Sequence, residues 1–144
     1  MSSQVKPNRV NVLHFDCGSC NGCDIEILAS LLPKYGAGDF GIVRVGKPEE
    51  ADVLILTGPV NHRNKEMLKS IYDRMRPSKL VMAVGECACT GAIFHNCPNT
   101  LGGIDKVVPV DVYVPGCAAR PEQILDGAVL LLQKAAAAAK GKAE

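Results

Sequence analysis

The sequence contains no tryptophan and few other aromatic residues, with three tyrosines and three phenylalanines in 144 residues. Lysine and arginine nearly balance aspartate and glutamate, so the formal net charge is only +1. Binding to nucleic acid relies on a basic surface and on aromatic side chains that stack on bases. Because this composition supplies neither, we expect no nucleic-acid partner.

Long apolar runs are also missing. The N-terminal segment MSSQVKPNR has no apolar stretch of signal-peptide length, and the chain has no run of about 18 consecutive apolar residues. We therefore expect neither an export signal nor a membrane-spanning segment. The chain does contain seven cysteines. In a reducing compartment, an odd number of thiols favours metal binding or thiol chemistry over disulfide bonds.

The rest of the sequence has the pattern of a globular α/β protein. Short apolar runs rich in β-branched residues alternate with segments of helical periodicity. The predicted strands are residues 9–15, 41–45, 52–57, 79–84 and 110–114, and the predicted helices are residues 24–32, residues 65–75 and one beginning near Pro121. Residues 85–103, rich in glycine, cysteine, asparagine and proline, are predicted as a loop.

Continuous apolar strands that alternate with helices indicate a mostly parallel sheet covered on both faces. We therefore predict one flavodoxin-like, three-layer α/β domain over residues 1–144. Its core is expected at about residues 9–132. Residues 1–8 and the tail of alanine and lysine at 135–144 are expected to be peripheral.

Six cysteines follow three of the predicted strands. Cys17, Cys20 and Cys23 come after the first strand, Cys87 and Cys89 after the strand that ends at Val84, and Cys117 after the strand that ends at Val114. Loops at the carboxyl ends of parallel strands share one edge of the sheet, where ligands bind. Cysteines far apart in the sequence can therefore meet there.

Four thiolates suit a cubane iron–sulfur cluster and also suit zinc. Structural zinc sites commonly use two C-x-x-C pairs, whereas here one pair is joined by single cysteines from two distant loops. Glycines next to the cysteines (Gly22, Gly85, Gly91 and Gly116) would let backbone amides approach an anionic cluster closely. The pattern favours a cluster, with zinc as the alternative.

Two further alternatives concern the first cysteine loop. Cys20 and Cys23 stand at a strand-to-helix turn, where a thioredoxin-like dithiol would also lie. That interpretation leaves Cys87 and Cys117 without a role. In addition, Cys17 and Cys20 have the same spacing as Cys20 and Cys23, so spacing alone does not choose between Cys17 and Cys20.

Four short segments, in this order, resemble a known family: CNGCDIE at residues 20–26, TGPV at 57–60, GECA at 85–88 and VPGC at 114–117. The chain resembles the small subunit of nickel–iron hydrogenases, which is similar to the cluster-bearing 20-kDa subunit of respiratory complex I. The resemblance spans residues from about 9 to 131. It implies that one 4Fe–4S cluster is bound by Cys20, Cys23, Cys87 and Cys117.

The resemblance also ranks the remaining candidates. Cys17 and Cys89 are less favoured as cluster ligands than these four cysteines. Glu26 is suggested as a proton-relay or interface residue. The alternative is that this carboxylate, one turn into a helix, only interacts favourably with the helix dipole. Complex I subunits have two adjacent cysteines where this chain has C-x-x-C, which favours a hydrogenase over a quinone reductase.

The chain ends soon after the helix that follows Cys117, so we expect no second domain of the kind found in larger uptake hydrogenases. The resemblance therefore implies the compact small subunit of an energy-converting, membrane-bound hydrogenase of the Ech or carbon-monoxide-induced type. Such a subunit relays electrons within an oxidoreductase complex in which hydrogen evolution or oxidation is coupled to ion translocation, and the hydrogen chemistry belongs to another chain.

The implied partners are a hydrogenase large subunit with a nickel–iron site, a ferredoxin-like 4Fe–4S subunit and integral membrane subunits that translocate ions. The expected location is peripheral, on the cytoplasmic face of the cell membrane, where partner subunits hold the chain. The alternative function is that of the corresponding cluster-bearing subunit in a complex I-like NADH, quinone or ferredoxin oxidoreductase.

Overall fold

The computed structural model describes residues 9–142, and it describes side-chain environments to residue 141. The peripheral segment predicted at residues 1–8 lies outside the described residues, as does the end of the predicted tail. The strands are β1 (Val10–Asp16), β2 (Ile42–Arg44), β3 (Val53–Thr57), β4 (Val60–Asn61), β5 (Leu80–Val84), β6 (Thr100–Gly102) and β7 (Val112–Val114). The α-helices are α1 (Gly22–Ser30), α2 (Lys65–Arg74), α3 (Glu86–Thr90) and α4 (Pro121–Lys142).

Five strands form a parallel sheet in the order β2-β1-β3-β5-β7. Counted within this sheet alone, the order is 2-1-3-4-5, which is the flavodoxin-like order of doubly wound folds. Strands β4 and β6 pair separately as a short antiparallel ribbon. The predicted fold class is therefore confirmed.

Alternate residues of each central strand face opposite layers, as the pleat requires. On β3, Leu54 and Leu56 belong to a buried cluster that includes Leu68 of α2. Val53 and Ile55 belong to a second buried cluster on the other face, to which α1 and α4 contribute Ile27, Ile124 and Leu131. The sheet is thus covered on both sides, which explains why its central strands are apolar at nearly every position.

The predicted strands and helices are all present, with most ends shifted by one or two residues. The prediction of a loop for residues 85–103 was wrong, because this segment contains α3, a short 3₁₀ turn and β6. The two-residue strand β4 was also missed. Helix α4 continues to Lys142, and within residues 9–142 no helix is long and apolar enough to cross a membrane.

Candidate metal centre

Four cysteine side chains border one open recess at the carboxyl ends of the parallel strands. Cys20 lies in the loop after β1, Cys23 in the first turn of α1, Cys87 in α3 after β5, and Cys117 in the loop after β7. The recess has a volume of about 470 Å³, including the solvent at its mouth. The strand order brings these loops together, because β1, β3, β5 and β7 are neighbours that all run in the same direction.

The remainder of the lining is mostly small or apolar. It consists of Ser19, Gly22, Gly58, Val84, Glu86, Gly116 and Ala118. Gly91, which the sequence associated with the site, packs elsewhere, and a Cβ atom there would lie 2.9 Å from the Cα of Gly102. Gly58, which belongs to the TGPV segment, does border the recess.

Two glycines keep backbone close to the first cysteine loop. Gly85 has a φ of 90°, and a Cβ atom at this position would overlap Cys23 Sγ. Gly58 has a φ of 79°, and a Cβ atom there would lie 2.7 Å from the carbonyl carbon of Gly18. Because L side chains rarely adopt these values of φ, glycine is required for both the conformation and the approach.

The four thiols interact with one another electrostatically. Burial is the main cause that raises the pKa of Cys87, and the charges of Cys117, Cys20 and Cys23 raise it further. Burial likewise raises the pKa of Cys23, although a hydrogen bond from the backbone of Ala119 partly opposes this. Four thiolates therefore repel one another in this recess. A bound cationic metal centre would remove that repulsion.

The four cysteines supply a matching set of soft donor atoms. Within residues 9–142, no three cysteine, histidine, aspartate or glutamate side chains converge closely enough to hold a single metal ion. The four cysteines line one recess, and two of them are exposed and two half-buried. Four thiols on one recess are a donor set that fits a thiolate-bound metal–sulfur cluster.

The remaining cysteines lie away from the recess. Cys17 is fully buried in the core cluster shared with α2, and burial is the main cause that raises its pKa to about 12. Cys89 is half-buried, and burial is the main cause that raises its pKa to about 11. Cys97 is exposed in the segment between α3 and β6. Of Cys17 and Cys20, which spacing could not separate, only Cys20 borders the recess.

The carboxylate that borders the recess is Glu86, whereas the sequence had singled out Glu26. Glu26 lies on α1, is partly exposed and does not line the recess. Glu86 accepts a hydrogen bond of 3.0 Å from the hydroxyl of Thr90. The sequence shows that Glu86 directly precedes Cys87, but it does not distinguish Glu86 from an acidic residue that is solvated at the start of a helix.

A polar network beside the recess is centred on Asp24, which is nearly buried. Thr57 Oγ1 donates a hydrogen bond of 2.5 Å to Asp24 Oδ1, and His14 Nε2 lies 2.7 Å from the same oxygen. Ser19 Oγ donates to Asp24 Oδ2. The sequence interpretation did not single out this network, and none of the three histidines was predicted as a functional residue. Asp24 and Thr57 lie in the CNGCDIE and TGPV segments, but nothing in the sequence indicated that their side chains meet.

Comparison with known proteins agrees with this architecture. Residues 20–131 match the family described as NADH ubiquinone oxidoreductase, 20 Kd subunit. A probable membrane-bound hydrogenase subunit of Pyrococcus furiosus, mbhJ, is 48% identical over 131 residues, which cover 91% of this chain and 78% of that protein. A subunit of the NADH-quinone oxidoreductase of Flavobacterium psychrophilum is 44% identical over 110 residues, which cover 76% of this chain and 60% of that protein.

Among solved structures, one match comes from the membrane-bound sulfane sulfur reductase, described as an archaeal respiratory membrane complex. One of its chains superposes with a TM-score of 0.77 at 29% identity, and the match covers 89% of this chain and 71% of that chain. The chain is thus similar to subunits from three kinds of redox complex, which are named as a hydrogenase, a quinone oxidoreductase and a sulfur reductase.

Proposed function

The chain belongs to the family described as the 20-kDa subunit of NADH ubiquinone oxidoreductase, and on that premise we propose that it is an electron-transfer subunit of an oxidoreductase complex. In this proposal Cys20, Cys23, Cys87 and Cys117 bind one 4Fe–4S cluster. When bound, the cluster supplies a one-electron redox centre. In this proposal the hydrogen chemistry belongs to a partner subunit.

The observation that carries this proposal is the convergence of four thiols from separated segments on one recess. The segments are up to 97 residues apart, from Cys20 to Cys117 (117 − 20). Strand order brings the loops together, but four soft sulfur donors on one recess are the donor set that a thiolate-bound cluster needs. The mutual repulsion of their charges also supports a cationic centre among them.

The lining of the recess determines which side of such a cluster would be exposed to solvent. Val84 and Ala118 present apolar surface to the recess, which limits the access of water to the inner thiols. Cys23 and Cys87 are half-buried, whereas Cys20 and Cys117 are exposed. The exposed side of the site is therefore where a partner subunit with a second redox centre would dock.

We further propose that the partner complex is a membrane-bound, energy-converting hydrogenase. The match of 48% identity to the hydrogenase subunit from Pyrococcus furiosus covers 91% of this chain. The C-x-x-C spacing of Cys20 and Cys23 supports the same choice. The proposed partners are a large subunit with a nickel–iron site, a ferredoxin-like 4Fe–4S subunit and integral membrane subunits that translocate ions. The chain would lie at the cytoplasmic face of the membrane and be held there by them.

A second candidate is the corresponding subunit of a complex that reduces another acceptor. The match to the quinone oxidoreductase from Flavobacterium psychrophilum, at 44% identity, supports a complex I-like NADH, quinone or ferredoxin oxidoreductase. The structural match at a TM-score of 0.77 supports a sulfane sulfur reductase. These candidates share the cysteine site and differ in the partner.

The cluster is tested by anaerobic reconstitution of the 144-residue chain with iron and sulfide. We expect about four irons and four sulfides per chain, together with a reduced-state electron paramagnetic resonance signal of a 4Fe–4S cluster. Uptake of zinc alone, or of no metal, would refute the site proposal.

The partner is tested separately by purifying the complex from its native host. Nickel and hydrogen evolution in the purified complex support the hydrogenase, whereas a nickel-free complex refutes it and leaves the second candidate.

A further inference from the structure

Asp24 is an acidic residue that is almost removed from solvent, and its side chain is 13% exposed. Burying a carboxylate is costly unless hydrogen bonds replace those of water. Asp24 has such partners on both oxygens, because Thr57 donates to Oδ1 at 2.5 Å and Ser19 donates to Oδ2. His14 Nε2 lies 2.7 Å from Oδ1. Three separate segments of the chain are therefore built around this one carboxylate.

The partners of Asp24 are placed next to the cysteine site. Asp24 directly follows Cys23 in α1, and Ser19 directly precedes Cys20 in the loop. Thr57 is the last residue of β3 and is fully buried, so it provides a fixed anchor in the sheet. The carboxylate thus connects the residues next to Cys20 and Cys23 to the end of a central strand.

The same loop is fixed at a second point. Asp16 Oδ1 accepts hydrogen bonds from the backbone N–H groups of Gly18 and Ser19, at 2.7 and 2.5 Å. Ser19 Oγ accepts a hydrogen bond of 3.0 Å from the backbone N–H of Asn21. Ser19 is therefore held by Asp16, Asn21 and Asp24. Because Asp24 is also bonded to Thr57 in the sheet, the position of Ser19, and of the adjacent Cys20, is fixed relative to the sheet.

We propose that Asp24 is a positioning and charge-setting residue for the metal centre: it fixes the loop of Cys20 and Cys23, and it lowers the reduction potential of the bound cluster. This inference rests on the proposed four-cysteine cluster. Reduction adds one electron to the centre, and a fixed negative charge nearby opposes that addition. The surrounding hydrogen bonds keep the charge in place and keep it away from bulk water.

The experiment separates charge from geometry with three variants of the full chain, reconstituted without oxygen. Asp24→Asn removes the charge but keeps the shape. Thr57→Val keeps the charge but removes the hydroxyl that donates to Asp24 and lies 3.3 Å from His14 Nε2. Asp52→Asn is the matched control. Asp52 also accepts bonds from a backbone N–H and from an arginine, but it lies five residues before Thr57, beyond the opposite end of β3 and about 16 Å away. The measurements are the reduction potential and the iron that resists a chelator.

For Asp24→Asn we expect a positive shift equal to about a tenfold change in the equilibrium constant of reduction, which is about 59 mV for one electron. Thr57→Val should keep the potential close to that of the unchanged chain and should lose iron to the chelator faster. Asp52→Asn should change neither quantity. An unchanged potential in Asp24→Asn that retains its cluster would overturn the inference.

A fourth variant covers the case in which Asp24→Asn retains little iron. Asp24→Glu keeps the charge, so its residual cluster should show the potential of the unchanged chain. If Asp24→Glu shifted the potential as far as Asp24→Asn, the effect would be structural and the inference would be wrong. If the unchanged chain itself took up no cluster, the proposed function would fail instead, so the two failures are distinguishable.

Discussion

A Cβ atom on Gly85 would overlap the sulfur of Cys23, although 62 residues separate them in the sequence (85 − 23). Gly85 also has a φ of 90°, a value that side chains with a Cβ atom rarely adopt. We predict that Gly85→Ala displaces Cys23 Sγ from the recess. The variant should lose most of its iron after anaerobic reconstitution, measured as iron and sulfide per chain, and its free energy of unfolding should fall by about 1–3 kcal/mol.

Two other glycines provide controls for this prediction. Gly102 has a similar φ of 99°, but the nearest atoms to its would-be Cβ are 3.9 Å away, so Gly102→Ala reproduces the backbone strain without touching a cysteine side chain. Gly46 has no atom within 4 Å of its would-be Cβ. Gly102→Ala should lose stability and keep its cluster, and Gly46→Ala should change neither. Equal cluster loss in Gly85→Ala and Gly102→Ala would contradict the steric explanation.

The sequence predicted the layers of the fold because the apolar strands and the helices each leave a periodic signal over several residues. Helix α3 left no such signal, because it has only five residues between Gly85 and Gly91. The β4–β6 ribbon was also missed, since strands of two and three residues pair across about 40 positions. Short elements of this kind form because tertiary packing holds them, and local propensity does not reveal them.

The sequence likewise predicted one part of the candidate site and missed another. Parallel-strand geometry was sufficient to predict that cysteines after β1, β5 and β7 meet, since that rule depends only on strand order. The choice of Cys20 over Cys17 came from the resemblance, and the structure adds that only Cys20 borders the recess. The Asp24 network was not predicted: Asp24 and Thr57 lie in two of the family segments, but their contact depends on side-chain directions that strand order alone does not give.

We predict opposite outcomes for the two alanine variants of the first cysteine loop. Cys20→Ala should lose the cluster and leave the free energy of unfolding of the apoprotein almost unchanged, because Cys20 is exposed. Cys17→Ala should retain the cluster and lower the free energy of unfolding by about 1 kcal/mol, because Cys17 is fully buried. Iron content and urea unfolding measure the two effects. Loss of iron in Cys17→Ala, with iron retained in Cys20→Ala, would reverse the assignment.

Alkaline pH should weaken the folded apoprotein through Cys17. Burial raises the pKa of this thiol from 9.0 to about 12, and the charges of Asp16 and Asp24 add to the effect. Between these values the unfolded chain has lost the proton and the folded chain still binds it, so stability falls as pH rises. The contribution is complete below about pH 9 and is lost as the pH rises towards 12.

Urea unfolding of the unchanged chain and of Cys17→Ala, compared from about pH 8 to about pH 11 in steps, isolates this contribution from other titrating groups. The stability of the unchanged chain relative to Cys17→Ala should fall by about 1.4 kcal/mol per pH unit above about pH 9. The variant is therefore expected to be the less stable protein at the lower end of this range and the more stable one at the upper end. Parallel pH profiles for the two proteins would show that the Cys17 thiol titrates normally.

Helix α4 contains two glycines in opposite environments, and they predict opposite effects of the same substitution. A Cβ atom on Gly127 would overlap the side chain of Val114 and lie 3.3 Å from the sulfur of Met82, whereas Gly141 has no atom within 4 Å of its would-be Cβ. Gly127→Ala gains about 1 kcal/mol of helix propensity but forces α4 away from the sheet, which costs about 1–3 kcal/mol. Gly141→Ala has no such cost, and its gain is smaller because Gly141 stands one residue before the end of α4. Thermal unfolding should therefore rank Gly141→Ala at or above the unchanged chain and Gly127→Ala below it, and the reverse ranking would mean that α4 does not pack on β5 and β7 as described.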